Sequence, residues 1–146
     1  MYLIGDIVRL NAKRYPDKKA VIMENRYLTF YQLNRSANEL ANGLLAMGLR
    51  PGDRVALMAY NCLEFPIINY AIAKFGGILV PVNFRFKKDE LVHIINDCEP
   101  KAFFFGSEFI PLIEDSRTQF SLPIHLIPVT GEPLEAGFTL SNLMDS

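Results

Sequence analysis

The sequence predicts an α/β fold, in which a doubly wound, mainly parallel sheet is flanked by helices and a small hairpin lies near the N-terminus. Short apolar runs without polar alternation are typical of strands that are covered on both faces. Three such runs are 55–59, 78–80 and 102–106, and a fourth run, 123–128, is bracketed by prolines. Helical patterns separate the runs, as in βαβ units joined by right-handed crossovers.

The most informative stretch is Ala71–Asn83, where an apolar helix meets two glycines and a β-branched strand follows at once. Gly76 or Gly77 can take the left-handed conformation that closes a helix, and the second glycine leaves room for a tight turn. We expect 78–80 to be the central strand, with both faces covered. Pro81 cannot donate a hydrogen bond to a ladder, so it marks the end of that strand.

The first elements are predicted to be a helix and a hairpin. Apolar residues at helical spacing over Leu3–Arg14 indicate a helix, which ends before Pro16. Two short strands follow at 20–23 and 27–28, on either side of a polar turn, and indicate a small hairpin.

A capping box begins the second helix. The side chain of Thr29 can accept a hydrogen bond from the amide of Gln32, whose own side chain reaches back. Gly48 ends this helix. Its apolar stripe consists of Leu33, Ala37, Leu40, Ala41 and Leu44.

The third helix is apolar nearly all round, so we expect it to be deeply buried. Asn61 can cap it, with Glu64 three residues later, and Pro66 places its proper start near Phe65. Residues 88–90 open a further predicted helix, in which Leu91, Ile94 and Ile95 face inward. Another helix is predicted over 108–120, with Pro111 in its first turn. The tail, 131–146, is predicted to be a loop with a helical turn at Leu140–Met144.

Composition and length favour a single α/β domain over residues 1–146. They also indicate that a partner covers apolar faces of this domain. Half of the residues are hydrophobic and the mean hydropathy is +0.14, which is high for a domain that stands alone. We therefore expect the rest of a longer polypeptide to cover these faces, or a homodimer to form through them. The net charge of −1 predicts no attraction to nucleic acid or to an anionic membrane.

The sequence also predicts a cytoplasmic location. No apolar run approaches the ~20 residues needed to span a bilayer, and residues 1–6 lack the basic region of a signal peptide. Cys62 and Cys98 are far apart in the sequence and lie outside any metal-binding motif. We expect them to be two buried thiols in a reducing compartment rather than a disulfide or a metal site.

Ligands of open α/β sheets bind beyond the carboxyl ends of the strands. Here those ends are predicted at 60–61, 81–83, 106–107 and 129–130. None of them combines a nucleophile, a base and an oxyanion donor, and no glycine-rich phosphate-binding motif is present. The residues alone therefore assign no catalytic, cofactor-binding or metal-binding position.

Two histidines are candidates for chemistry. His93 lies one helical turn from both Asp89 and Asp97, a spacing that could hold a metal, but a solvated polar helix face explains it better. His125 lies within an apolar strand, and we expect it to be a hydrogen-bonded core histidine.

Charged residues beside two turns are further candidates. The run 84–88 interleaves aromatic and basic residues as nucleic-acid sites do, but an exposed loop followed by a helix start is favoured in a neutral domain. Asp53 and Arg54 are expected to be a pair of surface charges, worth ~0–1 kcal/mol.

Several stretches, taken in order, resemble the AMP-forming, adenylate-forming ligases, and the resemblance covers almost the whole chain. Any one of them is weak evidence, but four in register are strong. The matching stretches are Tyr27–Leu33 (first core motif), Gly48–Val55 (the turn after it), Ala73–Asn83 (second core motif) and Asn83–Phe86, followed by Glu90, Leu91, Ile94 and Ile95 at the family's spacing.

Asn83 with Arg85 resembles acyl-CoA synthetases, including long-chain fatty-acid ligases, rather than amino-acid-activating domains. The resemblance implies that a carboxylic acid reacts with ATP to give an acyl-adenylate and pyrophosphate, and that the thiol of coenzyme A then displaces AMP. It also implies Mg²⁺, which offsets phosphate charge. Arg85 would approach the nucleotide or CoA, or else form a salt bridge, which is favoured.

The family's phosphate loop, its adenine- and ribose-binding motifs and its catalytic lysine have no matching positions in this sequence. The resemblance therefore implies the N-terminal portion of the adenylate-forming domain, inactive by itself, and transfers no catalytic residue. Two alternatives stay open. One is a free-standing dimerisation or interaction module derived from such a ligase, and the other is a small flavodoxin-like ligand binder, which only the generic fold supports.

Overall fold

The computed structural model describes residues 1–134 and 137–145. Two short 3₁₀ turns flank the fifth helix. In chain order the elements are α1 (Ile4–Arg14), β1 (Lys19–Met23), β2 (Arg26–Thr29), α2 (Phe30–Ala46), β3 (Arg54–Met58), α3 (Glu64–Phe75), β4 (Ile78–Pro81), α4 (Lys88–Cys98), β5 (Ala102–Phe105), α5 (Ile110–Ser116), β6 (His125–Pro128) and α6 (Leu140–Asp145).

The main sheet has four parallel strands in the order β4-β3-β5-β6, and β1 pairs with β2 in a separate antiparallel hairpin. Val55 of β3 lies opposite Leu79 of β4 on one side and Ala102 of β5 on the other. Helices α1, α2, α3 and α6 cover one face of the sheet, and α4 and α5 cover the other. The predicted α/β fold with a doubly wound parallel sheet and a small hairpin is confirmed.

Strand β5 connects the two apolar layers. All four of its residues are buried. Phe104 packs into the layer that contains α2 and α3, while Phe103 and Phe105 pack into the layer that contains α4 and α5. This alternation follows from the two-residue period of a strand, and a strand buried on both faces needs large apolar side chains on each.

The run 78–80 does not form the central strand, which corrects the sequence prediction. It forms β4 at one edge of the sheet, and Ile78 is 47% exposed. An apolar run without alternation indicates low polarity on both faces, but it carries no information about strand order. Pro81 ends β4 as predicted, and an edge position suits a residue without an amide hydrogen.

The turn between α3 and β4 requires both of its glycines. Gly76 has φ +81°, the left-handed conformation that closes the helix. The amide of Gly77 then donates to the carbonyl of Ile72 at 2.9 Å. A Cβ on Gly77 would overlap the ring of Phe75, so the predicted tight turn is confirmed.

The capping box of α2 is also confirmed. The amide of Gln32 donates to Thr29 Oγ1 at 3.2 Å, and the amide of Thr29 donates to Gln32 Oε1 at 2.9 Å. All five residues of the predicted stripe are buried; they are Leu33, Ala37, Leu40, Ala41 and Leu44.

Helix α3 is as buried as predicted, but Asn61 does not cap it. The N-cap residue is Leu63, whose backbone is already helical, and no side chain caps it. A turn in which the amide of Phe65 donates to the carbonyl of Cys62 at 3.3 Å comes first, so Asn61 lies before the N-cap residue instead of occupying its position. The buried residues of α3 are Ile67, Ile68, Ala71, Ile72 and Phe75.

The helix predicted over 108–120 is divided into a 3₁₀ turn at 107–109, α5, and a second 3₁₀ turn at 117–119. Pro111 lies in the first turn of α5, as predicted; since it has no amide hydrogen, an α-helix cannot run through it from residue 107. The helical turn predicted in the tail is α6. Glu135, Ala136 and Ser146 of that tail lie outside the described residues.

Candidate functional site

The candidate site is the edge of the main sheet where its parallel strands end. There the ladder closes with short backbone bonds. The amide of Val82 donates to the carbonyl of Leu57 at 2.8 Å, and the amide of Gly106 donates to Met58 at 3.0 Å. The segments that follow β3, β4, β5 and β6 therefore leave the sheet side by side, which is the usual ligand position in open α/β sheets.

Three aromatic rings from three of these segments form what we call the ring cluster, which consists of Tyr60, Phe84 and Phe109. The centroid of Tyr60 lies 4.8 Å from that of Phe84 and 5.2 Å from that of Phe109, in tilted arrangements. These distances fall within the range of favourable aromatic pairs. Phe109 is buried, whereas Tyr60 and Phe84 are 51% and 40% exposed.

Arg85 lies on the rim of this cluster. Its guanidinium carbon is 5.7 Å from the centroid of Phe84, and its amide donates to Asn83 Oδ1 at 2.9 Å. The expected salt bridge of Arg85 does not form within residues 1–134 and 137–145, where no carboxylate approaches it within 4.0 Å. The guanidinium therefore lies over a ring rather than beside a carboxylate, and its side chain is exposed.

Two hydroxyl groups meet at the ends of β5 and β6. Thr130 Oγ1 donates to Ser107 Oγ at 3.3 Å. A hydroxyl is a poor general base at neutral pH, so this pair does not activate Ser107 as a nucleophile. Among the described residues, no group of three or more His, Cys, Asp or Glu side chains is arranged to hold a metal ion.

The structure confirms the prediction for one of the two histidines and contradicts it for the other. His93, Asp89 and Asp97 are all exposed, as the solvated helix face predicted. His125 is exposed as well, so the prediction of a core histidine is wrong. It is the first residue of the edge strand β6, where burial increases only towards Pro128.

Asp53 and Arg54 have separate roles instead of forming a pair. Asp53 Oδ2 accepts a hydrogen bond from the amide of Arg50 at 2.8 Å and closes the turn before β3. Arg54 Nη1 donates to the carbonyl of Cys98 at 3.4 Å, where the end of a helix favours a cation. The run 84–88 is an exposed loop that leads into α4, as predicted.

Helices α1, α2 and α3 share a polar cluster that the sequence analysis missed. Lys74 Nζ donates to Asn34 Oδ1 at 2.9 Å. The pKa of Lys74 is lowered mainly by burial and, to a smaller extent, by the positive charge of the nearby Arg9. Hydrogen bonds from the amide of Leu3 and from Arg9 lower the pKa of Asp6. A lysine inside an apolar helix is the only sequence signal for this cluster.

Both cysteines are free thiols, and they are half-buried rather than buried as predicted. Burial is the main cause that raises the pKa of Cys62, and the same holds for Cys98. The thiols therefore stay protonated at neutral pH and are poor nucleophiles.

Within the part of the chain that the structure describes, no helix has the length and apolarity needed to cross a bilayer.

A family model described as "AMP-binding enzyme" matches residues 8–136. Among curated proteins, the fatty acid–[acyl-carrier-protein] ligase ScoC of Streptomyces coeruleorubidus is 40% identical over 104 residues, which are 71% of this chain and 20% of that protein. The crotonobetaine/carnitine–CoA ligase of Salmonella paratyphi B is 35% identical over 127 residues, which are 84% of this chain and 25% of that protein.

Solved structures agree with these sequence matches. The anthranilate–CoA ligase AuaEII in complex with anthranoyl-AMP superposes with a TM-score of 0.92 at 28% identity, covering 99% of this chain and 28% of that one. A fatty acyl-CoA synthetase of Mycobacterium tuberculosis superposes with a TM-score of 0.85 at 30% identity, covering 99% and 28%. The chain thus spans a fifth to a quarter of the curated relatives it matches, and it belongs to the family of AMP-binding enzymes, the adenylate-forming ligases.

Proposed function

We propose that the protein to which these residues belong is an acid–thiol ligase that forms AMP. A carboxylate oxygen attacks the α-phosphorus of ATP, and pyrophosphate leaves. A thiolate then attacks the acyl carbon of the adenylate, a thioester forms and AMP leaves. The observation that carries the proposal is the family match over residues 8–136, together with a fold that superposes on CoA ligases over nearly its whole length.

Within that protein, residues 1–146 would be the N-terminal portion of the adenylate-forming domain and would be inactive alone. The candidate site supports this division of roles, because its hydroxyl pair is a contact between two weak bases and its exposed rings are suited to contacting a ligand rather than to chemistry. We propose a cytoplasmic location.

The substrate that we would test first is a fatty acid, with coenzyme A as the thiol. ScoC is described as a ligase for fatty acids and acyl carrier protein, and the Salmonella relative as a CoA ligase, so both thiol classes belong in the assay. Mg²⁺ would offset phosphate charge in such a reaction. The described residues provide no ligand set for it, so we assign it no step here.

Acid-dependent exchange of pyrophosphate into ATP tests the proposal directly. The whole polypeptide should exchange when short-, medium- and long-chain fatty acids are supplied in turn, and residues 1–146 alone should not. Thioester formation with CoA and with acyl carrier protein then identifies the thiol. Failure of the whole polypeptide to exchange with any carboxylic acid would refute the proposed activity, and exchange by residues 1–146 would refute the inactivity of this portion.

We further propose that Arg85 faces an anionic group of the nucleotide or of CoA. Two observations support this role: the guanidinium lies at the carboxyl edge of the sheet, and within the described residues no carboxylate neutralises it. Arg85→Ala should raise the KM of ATP or of CoA. Unchanged KM values for both would remove Arg85 from the site.

A second candidate function is that of an interaction module that forms a homodimer. The observation that favours it is the hairpin, where Ile22 lies opposite Tyr27 and the two are 66% and 48% exposed. Light scattering of residues 1–146 should then give a dimer. Ile22→Lys should convert the dimer to a monomer, whereas Leu122→Lys, at an exposed apolar residue elsewhere, should not. A monomeric wild-type chain would refute this function.

A further inference from the structure

The ring cluster joins three loops that are far apart in the sequence. Tyr60 follows β3, Phe84 follows β4 and Phe109 follows β5. Because β3 lies between β4 and β5 in the sheet, the ring of Tyr60 lies between the other two, within 4.8 and 5.2 Å of them. Tyr60 is therefore the only one of the three whose ring contacts both of the others.

The ring cluster has one buried ring and two exposed rings. Phe109 is 7% exposed and belongs to the core layer beneath α4 and α5, so its position is set by packing. Tyr60 and Phe84 are far more exposed. An exposed loop is therefore connected to a core residue by the ring contacts Phe109–Tyr60–Phe84.

The backbone of that loop is fixed on both sides of Phe84. Before it, Val82 is buried and its amide continues the ladder to Leu57. After it, the amide of Phe86 donates to the carbonyl of Asn83 at 3.0 Å. The ring of Phe84 then lies beneath the guanidinium of Arg85, and a cation above an aromatic face is attracted to it.

From this series of contacts we infer that Tyr60 is a positioning residue, which acts through Phe84 to hold the guanidinium of Arg85 in place for the phosphate of a substrate. The inference rests on the proposed function, in which Arg85 faces ATP or CoA. Tyr60 itself need not touch the substrate. A purely structural Tyr60 would contribute to stability, whereas a positioning Tyr60 changes the KM of the same substrate that depends on Arg85.

The experiment measures KM for ATP, CoA and the carboxylic acid, and kcat, in the whole polypeptide. Tyr60→Ala should raise the KM of the substrate affected by Arg85→Ala by about two- to tenfold, as expected for the loss of a ring contact and a cation–ring contact. The other KM values and kcat should stay within about twofold. Tyr60→Phe should match the wild type, because the contacts are made by the ring.

A double variant separates positioning from independent effects. If Tyr60 acts only through Arg85, then Tyr60→Ala combined with Arg85→Ala should be no worse than Arg85→Ala alone. Tyr15→Ala is the matched control, because Tyr15 is 54% exposed and has the Lys18 ammonium 5.6 Å from its ring centroid. That control should leave every KM unchanged.

Three results would contradict the inference. They are an unchanged KM in Tyr60→Ala, full additivity with Arg85→Ala, and an Arg85→Ala variant without any KM effect. In each of them acid-dependent pyrophosphate exchange by the wild type would still support the ligase, whereas failure of that exchange refutes the function itself. If Tyr60→Ala does not fold, Tyr60→Leu retains apolar volume without a ring and should show the same KM change.

Discussion

Glu99 is one of two non-glycine residues, with Glu24, that the described part of the chain holds in a left-handed backbone conformation. It closes α4 with φ +49°, in the left-handed region, which costs a residue with a Cβ about 1–2 kcal/mol. Glu99→Gly should therefore raise the free energy of unfolding by about 0.5–1 kcal/mol, measured by urea denaturation. Asp97→Gly is the matched control, because it lies inside the same helix, where glycine is a slightly poorer helix former than aspartate and should lower the stability by about 0.3 kcal/mol.

Asp6 gives a prediction about pH. Its pKa is lower in the folded chain than its ordinary value of 3.8, so the folded state favours the ionised carboxylate. The stability that Asp6 contributes should be complete above pH 3.8 and should decline as the pH falls through the lower folded pKa. The difference in unfolding free energy between the wild type and Asp6→Asn should therefore shrink on acidification.

Arg9→Gln tests the second of the two hydrogen bonds that lower the pKa of Asp6, after that from the amide of Leu3. Because Arg9 donates a hydrogen bond to Asp6 at 2.8 Å, its loss should raise the pKa of Asp6 towards 3.8 and narrow the pH range over which the contribution declines. A difference between the wild type and Asp6→Asn that stays constant with pH would show that the hydrogen bonds to Asp6 do not stabilise the fold.

Residue-level features were predictable where the determinants are local. Thr29 and Gln32 are three positions apart, so their sequence fixes the capping geometry without tertiary information. The hydrogen bond of Lys74 to Asn34 spans 40 positions, and no pattern in either segment indicates it. The ring cluster was missed for the same reason, since each ring lies in a different loop.

At the scale of elements, the beginning of α2 offers the clearest test. Thr29→Ala removes the hydroxyl that accepts from the amide of Gln32, and an N-cap change of this kind costs about 0.5–2 kcal/mol. Thr29→Ser should retain most of the stability in the same urea titration. Equal losses in both variants would show that the methyl group, rather than the hydroxyl, stabilises this helix start.

Periodicity in the sequence predicted most of the helices and strands, but it did not predict which strands lie next to each other in the sheet. Strands β4 and β5 are both apolar runs in the sequence, yet β5 is fully buried while β4 has an exposed first residue, Ile78. Strand order is decided by which crossovers pack best against the whole sheet. The exposure of His125 could not be predicted for the same reason, because β6 also lies at an edge of this sheet.

At the scale of the molecule, the high hydropathy has a structural counterpart. Large apolar side chains are exposed on α1, on the hairpin and at the start of β4; examples are Leu3, Ile4, Ile22, Tyr27 and Ile78. Residues 1–146 alone should therefore bind a hydrophobic dye, and the longer polypeptide of the proposed ligase should bind less per molecule. Equal dye binding by both would show that the remaining polypeptide does not cover these side chains.

The contact between α6 and α2 has a consequence for synthesis. Gly43 of α2 lies so close to the backbone of Leu143 that a Cβ would overlap it, and these residues are 100 positions apart. The crossovers from β3 to β4 and from β5 to β6 are far shorter, so those strands can pair soon after they leave the ribosome. The apolar layer around α2 can close only after α6 has been translated, and until then its exposed side chains are available to chaperones.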